Sequence, residues 1–235
     1  MPMRRLSRLH LLRTHTSQKV FKLACNKFDL VYFGGVSQYS DEHQMVRGFT
    51  LSPSHVDRHY CVGTVSGIDV ILLERMDTVS FPDKPSRSYT WTILKLDLKK
   101  HLSAHILLNS IRYDDILYAH LFAKFHNLKH YTSHSFAGHD QKFAEVFRVY
   151  APMQHVDDVM AMLPPATTSV LAHHFSMFDY EAYGDQLIVY AATTSPTVHV
   201  IEQMLTSGIW LATQLDSSLS QPAATQTNDS THPSL

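Results

Sequence analysis

The sequence predicts an α+β fold, with a mainly antiparallel sheet in its first half, mixed helix and strand in its second, and a closing C-terminal helix. Residues 28–110 alternate apolar and polar side chains and are rich in β-branched and aromatic types, whereas residues 111–215 interleave helical and strand periodicities. Neither stretch shows the regular strand–helix alternation of a doubly wound parallel sheet. The two read together as one domain, preceded by a basic amphipathic segment at 1–27 and followed by a disordered tail at 216–235.

The opening MPMRRLSRLHLLRTHTSQKVFKLACNK holds Arg4, Arg5, Arg8, Arg13, Lys19, Lys22 and Lys27 and no acid before Asp29. Leu6, Leu9 and Leu12, continued by Val20, Leu23 and Ala24, give the apolar stripe of a helix packed on the domain. The stretch lacks the apolar core and small-residue cleavage site of a signal peptide. Its basic face could also meet anionic lipid or RNA, the one nucleic-acid signal in the chain.

From Phe28 the pattern turns to strand. FDLVYFGGV is a strand stopped at Gly34–Gly35, and HYCVGTVSGIDVILLERMDTV is a pair of strands joined at Ser66–Gly67, where glycine supplies a positive φ. After the prolines of FPDKPSR, SYTWTILKLDL predicts a long strand buried on one face, and SAHILLNS a short one.

In the second half, Leu117, Leu121, Phe125 and Leu128 are spaced as one face of a helix, and KFAEVFRVYAP reads as a strand ended by Pro152. HVDDVMAML is a short helix stopped at Pro164–Pro165, TTSVLAHHFS a second, and FDYEAYGDQLIVYAAT a hairpin about Gly184–Asp185. The closing helix is capped by Ser195, takes Pro196 in its first turn, and carries the stripe Ile201, Leu205, Gly208, Leu211 and Leu215. Beyond Asp216 the Ser, Thr, Gln and Pro content cannot bury enough apolar area to offset the entropy of ordering.

With 235 residues and 44 % hydrophobic content, the chain can bury a core without a disulfide framework. Two cysteines, Cys25 and Cys61, in neither a redox nor a zinc-finger spacing, favour a reducing, cytoplasmic location. No run is long and apolar enough for a membrane span, and a net charge of −1 excludes a bulk field that would call for nucleic acid. The anomaly is histidine, at 17 residues, which would make the chain strongly basic in mild acid and opens a pH-responsive role.

YTWTILKLDL and HILLNS, then a helical stretch, then FAEVFRVYAPMQHVDDVMAMLPPATTSVL and a closing YGDQLIVY, form an order of segments that resembles a family of uncharacterised bacterial proteins, a domain of unknown function. The resemblance spans residues 28–192 and implies no activity and no residue role. Some members carry membrane helices, which this sequence does not show.

Two histidine clusters invite a metal reading. In SPSHVDRHYC, His55, Asp57, His59 and Cys61 occupy alternate positions, which on a regular strand point to one side and offer ligand types a transition metal accepts. In HLFAKFHNLKHYTSHSFAGHD, His126 and His130 are four apart and would neighbour each other on a helix. Each set also has a plainer account: Asp57 capping backbone donors in a loop with Cys61 in the core, and a solvated helix flank around His126. No nucleophile elbow, phosphate loop or dinucleotide-binding turn is present, so catalytic residues are not assigned. The sequence therefore points to a non-enzymatic interaction domain for a protein or peptide, needing no cofactor. The alternative is a zinc- or other metal-binding protein, or a metal-dependent hydrolase, using His55, Asp57 and His59.

Overall fold

The computed structural model describes residues 3–35, 46–81, 84–111, 125–131, 136–193 and 196–218. A helix α1 (Met3–Phe28) leads into strands β1 (Val31–Gly34), β2 (Val56–Val65), β3 (Ile68–Phe81), β4 (Lys84–Asp97), β5 (Ile106–Ser110) and β6 (Lys129–Tyr131). Then follow α2 (Gln141–Val146), β7 (Phe147–Ala151), α3 (Val156–Met162), α4 (Pro165–His174), β8 (Asp179–Tyr183), β9 (Gln186–Ala192) and α5 (Val198–Ser218). Among the described residues, nine strands form one sheet in the order β1-β2-β3-β4-β9-β8-β5-β7-β6, and every pairing is antiparallel. This is the expected α+β architecture, and its two halves meet where β4 pairs with β9.

The turns explain the order. Ser66 (φ 54) and Gly67 (φ 77) both take the left-handed conformation, the type I′ geometry whose twist matches that of the flanking strands, and the β2–β3 hairpin closes on the Val65–Ile68 pair. A second hairpin turns at Gly184–Asp185, where both carbonyls accept backbone bonds, from Leu102 at 2.6 Å and Leu98 at 2.7 Å.

The sheet is covered on both faces. Leu72, Leu94, Leu96, Leu187 and Val189 point to the helical face, where they meet Phe21, Ala24 and Cys25 of α1 and Ile201, Met204, Leu205 and Leu211 of α5. Ile71, Leu73, Trp91, Ile93, Ile188 and Tyr190 point the other way and are covered by Val46 and Phe49. The single-faced burial expected of β4 is therefore corrected: residues 90–96 are buried throughout, because alternate side chains enter two different cores.

Other expectations change with it. KFAEVFRVYAP is not one strand, because Asp140 accepts from the Lys142 backbone N–H at 2.9 Å and caps α2 before β7 begins. Within the helix expected over Leu117–Leu128, residues 112–124 lie outside the described residues, and the chain from Phe125 onward is a turn leading to β6. In α1 the buried face is Ser17, Phe21, Ala24 and Cys25, while Leu23 is exposed. Of the stripe read in the sequence, Ala24 is buried and Val20 packs partly buried on the core, Leu23 departs from it, and the side chains of Leu6, Leu9 and Leu12 lie outside the described ones. Ser195, the expected cap of α5, lies outside the described residues; Thr197 Oγ1 accepts from the Val200 N–H at 3.2 Å and does the capping. Of the tail expected over 216–235, residues 216–218 belong to α5, which continues through Ser218, and residues 219–235 lie outside the described residues.

The two cysteines are not independent. Cys25 and Cys61 form a disulfide that bonds α1 to β2, a pairing that their spacing in the sequence does not announce. Among the described residues no helix is long and apolar enough to cross a membrane.

Candidate functional site

β2 is the strand on which the site question turns, because it carries Asp57, His59 and Cys61. Its pairing with β3 shifts register between Arg58 and Cys61, and His59 sits at that bulge with φ 59. The extra residue reverses the alternation. Asp57 and Tyr60 therefore face the Arg75 side of the sheet, and His59 and Cys61 face α1. The one-sided set of His55, Asp57, His59 and Cys61 does not form.

On the Arg75 side, Asp57 is not the cap of a loop but half of a buried ion pair. Arg75 donates from Nε to Oδ1 and from Nη2 to Oδ2, each at 2.7 Å. Nη1 donates to Thr50 Oγ1 at 3.1 Å and Nη2 to the Val46 carbonyl at 2.5 Å, while Tyr60 donates its hydroxyl to Asp57 Oδ2 at 3.2 Å. His55 stands behind, its Nε2 3.9 Å from Asp57 Oδ2 and its Nδ1 against the Ser52 carbonyl.

A second buried carboxylate holds the same loop from β8. Glu181 Oε2 accepts from the Phe49 backbone N–H at 2.7 Å and from the Tyr190 hydroxyl at 2.6 Å, and Oε1 accepts from His105 Nε2 at 2.8 Å. Burial, reinforced by the Glu181 charge, pushes the Tyr190 phenol well above its usual range. The same causes in the same order raise Tyr183 to about 12. Gly48 makes the close approach possible: at φ 111, a Cβ there would lie 2.0 Å from the Tyr190 hydroxyl oxygen. Arg75 and Glu181 thus clamp residues 46–50 over the second core by charge-assisted bonds.

On the α1 side, His59 Nδ1 bonds the Tyr32 hydroxyl at 2.9 Å, and its ring lies 5.4 Å from that of Phe21. Its Nε2 is 3.9 Å from Glu74 Oε2, and Glu74 Oε1 accepts from Ser17 of α1 at 2.9 Å. Burial, with a smaller contribution from the Arg58 charge, lowers His59 to about 4, so it is a neutral ring at physiological pH.

The other histidines are separated as well. His126 is exposed in the turn before β6, and His130 is on β6 against the Tyr150 ring at 5.3 Å. The helix that would have set them on one face is replaced by turn and strand. Among the described residues, no group of three or more His, Cys, Asp or Glu side chains is placed to hold a metal ion.

The surface feature that stands out is the β1 edge. Val31 and Phe33 are each 59 % exposed, and Val31 pairs with Val62, also exposed, on β2. No charged residue and no proline occurs from Leu30 to Gly35. The opposite edge, β6, is three residues long and presents Lys129 and His130. Sequence reading placed β1 as a strand but had no means of showing that it ends the sheet. It also passed over Glu74, Arg75 and Glu181, although a charge inside an apolar strand, as in VILLERM and DYEAY, is a legible sign of a buried pair.

No protein-family model and no curated protein sequence matches the chain. Among solved structures it is similar to the mycobacterial trehalose monomycolate transport factor A, TtfA, with a TM-score of 0.56 and 10 % sequence identity. The match covers 86 % of this chain and 94 % of that one. At that identity the likeness concerns the fold.

Proposed function

We propose that the protein is a non-enzymatic interaction domain that takes an extended segment of a partner polypeptide along its β1 edge. The observation that carries this reading is the asymmetry of the two edges. Sheets ordinarily blunt an edge by shortness, charge or proline, because an apolar edge templates pairing with another strand. β6 is blunted in this way. β1 is also short, four residues with an irregularity between Tyr32 and Gly34, but it carries no charge and presents Val31 and Phe33, the arrangement that strand addition uses, with main-chain bonds giving affinity and alternate side chains giving selectivity.

The buried charges support the same reading from the other direction. Glu181 holds the 46–50 loop directly through Phe49, and Asp57 orients Arg75, which holds it through Thr50 and Val46, so both carboxylates have a structural task. The metal-dependent alternative loses its geometry once His59 and Asp57 face opposite sides. TtfA is a transport factor, which is compatible with a binding role here but selects no partner. The cytoplasmic placement read from the sequence leaned on the small number and the spacing of the cysteines; the Cys25–Cys61 bond supports an oxidising compartment instead.

The test is selection from a phage-displayed library of random short peptides, followed by fluorescence polarisation with the enriched ones. Peptides of alternating apolar pattern should bind the native protein and lose binding to Phe33→Lys, whose melting temperature should stay unchanged because the site is exposed. Enrichment of nothing, or peptides that bind Phe33→Lys equally well, would overturn the reading. Sedimentation of the unliganded protein asks separately whether a second copy occupies the edge.

A further inference from the structure

A strand added at β1 would set its side chains alternately on the two faces of the sheet, and the two faces differ at this edge. Tyr32 lies on the α1 face, its hydroxyl bonded to His59 Nδ1 at 2.9 Å. Val31 lies on the opposite face with its cross-strand partner Val62, and both are exposed. The exposed Phe33 follows at the irregularity of the strand. Away from α1, the edge therefore offers apolar contacts.

Toward α1, the edge is positive. The exposed Lys22 of α1 reaches over the Tyr32 ring, its Nζ 5.3 Å from the ring centre. Arg58 stands opposite Glu74 in the β2–β3 pairing, and directly opposed residues share a face, so Arg58 is on the α1 side as well. It lies just past the Tyr60–Gly34 pair at which β1 ends, and its charge is felt at His59. The nearby carboxylates are engaged or stand apart. Glu74 is buried and accepts from Ser17 at 2.9 Å, Glu202 of α5 takes Lys27 at 2.7 Å, and Asp29 is in the turn before β1. Among the described residues, no carboxylate is ion-paired with Lys22 or Arg58.

We infer that the segment taken up by β1 alternates apolar and acidic side chains, the apolar set beside Val31 and Phe33 and the acidic set beside Lys22 and Arg58. The inference rests on the strand-addition reading and names the chemistry of the partner. Charges at an exposed rim each contribute little to affinity. Their effect shows as a preference between partners that weakens with salt. A basic segment of the same apolar pattern would meet two like charges, which selects against it.

The experiment titrates the full-length protein with three capped peptides of one length, in which valine alternates with glutamate, glutamine or lysine, read by fluorescence polarisation at low and raised salt. The glutamate peptide should bind about three- to tenfold more tightly than the glutamine peptide, the lysine peptide most weakly, and the differences should shrink with salt. Lys22→Gln with Arg58→Gln should bring the glutamate and glutamine peptides to equal affinity. Val31→Ser with Phe33→Ser, which removes apolar contact without adding charge, should weaken all three. Equal binding of the glutamate and glutamine peptides, lost in the double serine variant, overturns the acidic preference and leaves the edge as the binding site. A preference that survives the double glutamine variant overturns the assignment to Lys22 and Arg58. Binding of no peptide, or binding that the serine variant leaves unchanged, overturns the strand-addition reading and this inference with it.

Discussion

Arg75 grips both oxygens of Asp57, through Nε and Nη2 at 2.7 Å each, at a place in the sheet where the Arg75 side chain is wholly buried. The pair joins β2 to β3 on one side, and through Thr50 and the Val46 carbonyl it holds the loop that covers the second core. Such a pair is costly to break from one side, since the remaining charge keeps its burial and loses its partner. Asp57→Ala is expected to destabilise the protein by about 3–5 kcal/mol. The double substitution Asp57→Leu with Arg75→Met is expected to cost less than either single change, because no unpaired charge remains. Urea unfolding of the wild type, Asp57→Ala, Asp57→Leu, Arg75→Met and the double variant measures both, and a simple sum of the Asp57→Leu and Arg75→Met effects would show that the pair does not act as a unit.

His59 gives the fold a defined sensitivity to acid. The unfolded chain binds a proton at this ring near the ordinary value of 6.5, whereas the folded protein does so only at about 4. The unfolded state therefore holds more protons between those two values. Stability from this group is full above pH 6.5 and is lost as the pH falls toward 4, at up to about 1.4 kcal/mol per pH unit. Glu74, 3.9 Å from Nε2, would offset part of the loss by attracting the charged ring. His59→Asn keeps a residue that tolerates the left-handed backbone and can still accept from Tyr32. Denaturant midpoints between pH 7 and 4 should fall less steeply in this variant. An unchanged profile would assign the acid loss to other groups, His130 and His139 among them, whose values burial also lowers.

The strands and hairpins were legible because their causes are local. Ser66–Gly67 and Gly184–Asp185 announce turns, and the apolar runs beside them have the length and chemistry of strands. The site was less legible because its causes are not local. One bulged residue at His59 sends Asp57 and Cys61 to opposite faces, and no periodicity in SPSHVDRHYC signals that bulge. The partner of Asp57 lies 18 residues away and that of Cys61 lies 36 away, so neither appears as a motif. Phe125 and Leu128 have helical spacing but belong to a turn; three or four apolar residues fit either structure until the neighbouring strands are known. The exposure of Val31 and Phe33 depends on which strand ends the sheet, a property of the whole topology.

The Cys25–Cys61 bond carries the last prediction. It closes a chain segment across a sequence separation of 36 residues and bonds α1 to the sheet at a place where Cys25 is 1 % exposed and Cys61 is not exposed at all. A cross-link of that span restricts the unfolded chain by on the order of 3–4 kcal/mol. Replacing both residues by alanine should lower stability by about that amount, while Phe21 and Ala24 still dock α1. Because both sulfurs are buried, a thiol reductant reaches them only when α1 lifts from β2. Reduction by dithiothreitol should thus be slow in native buffer and fast in denaturing urea, read by alkylation and intact mass. Protein from an oxidising source, denatured without reductant, should take up no alkyl group. Two alkyl groups added under native conditions, at the rate of free thiols, would show that α1 is held by packing alone.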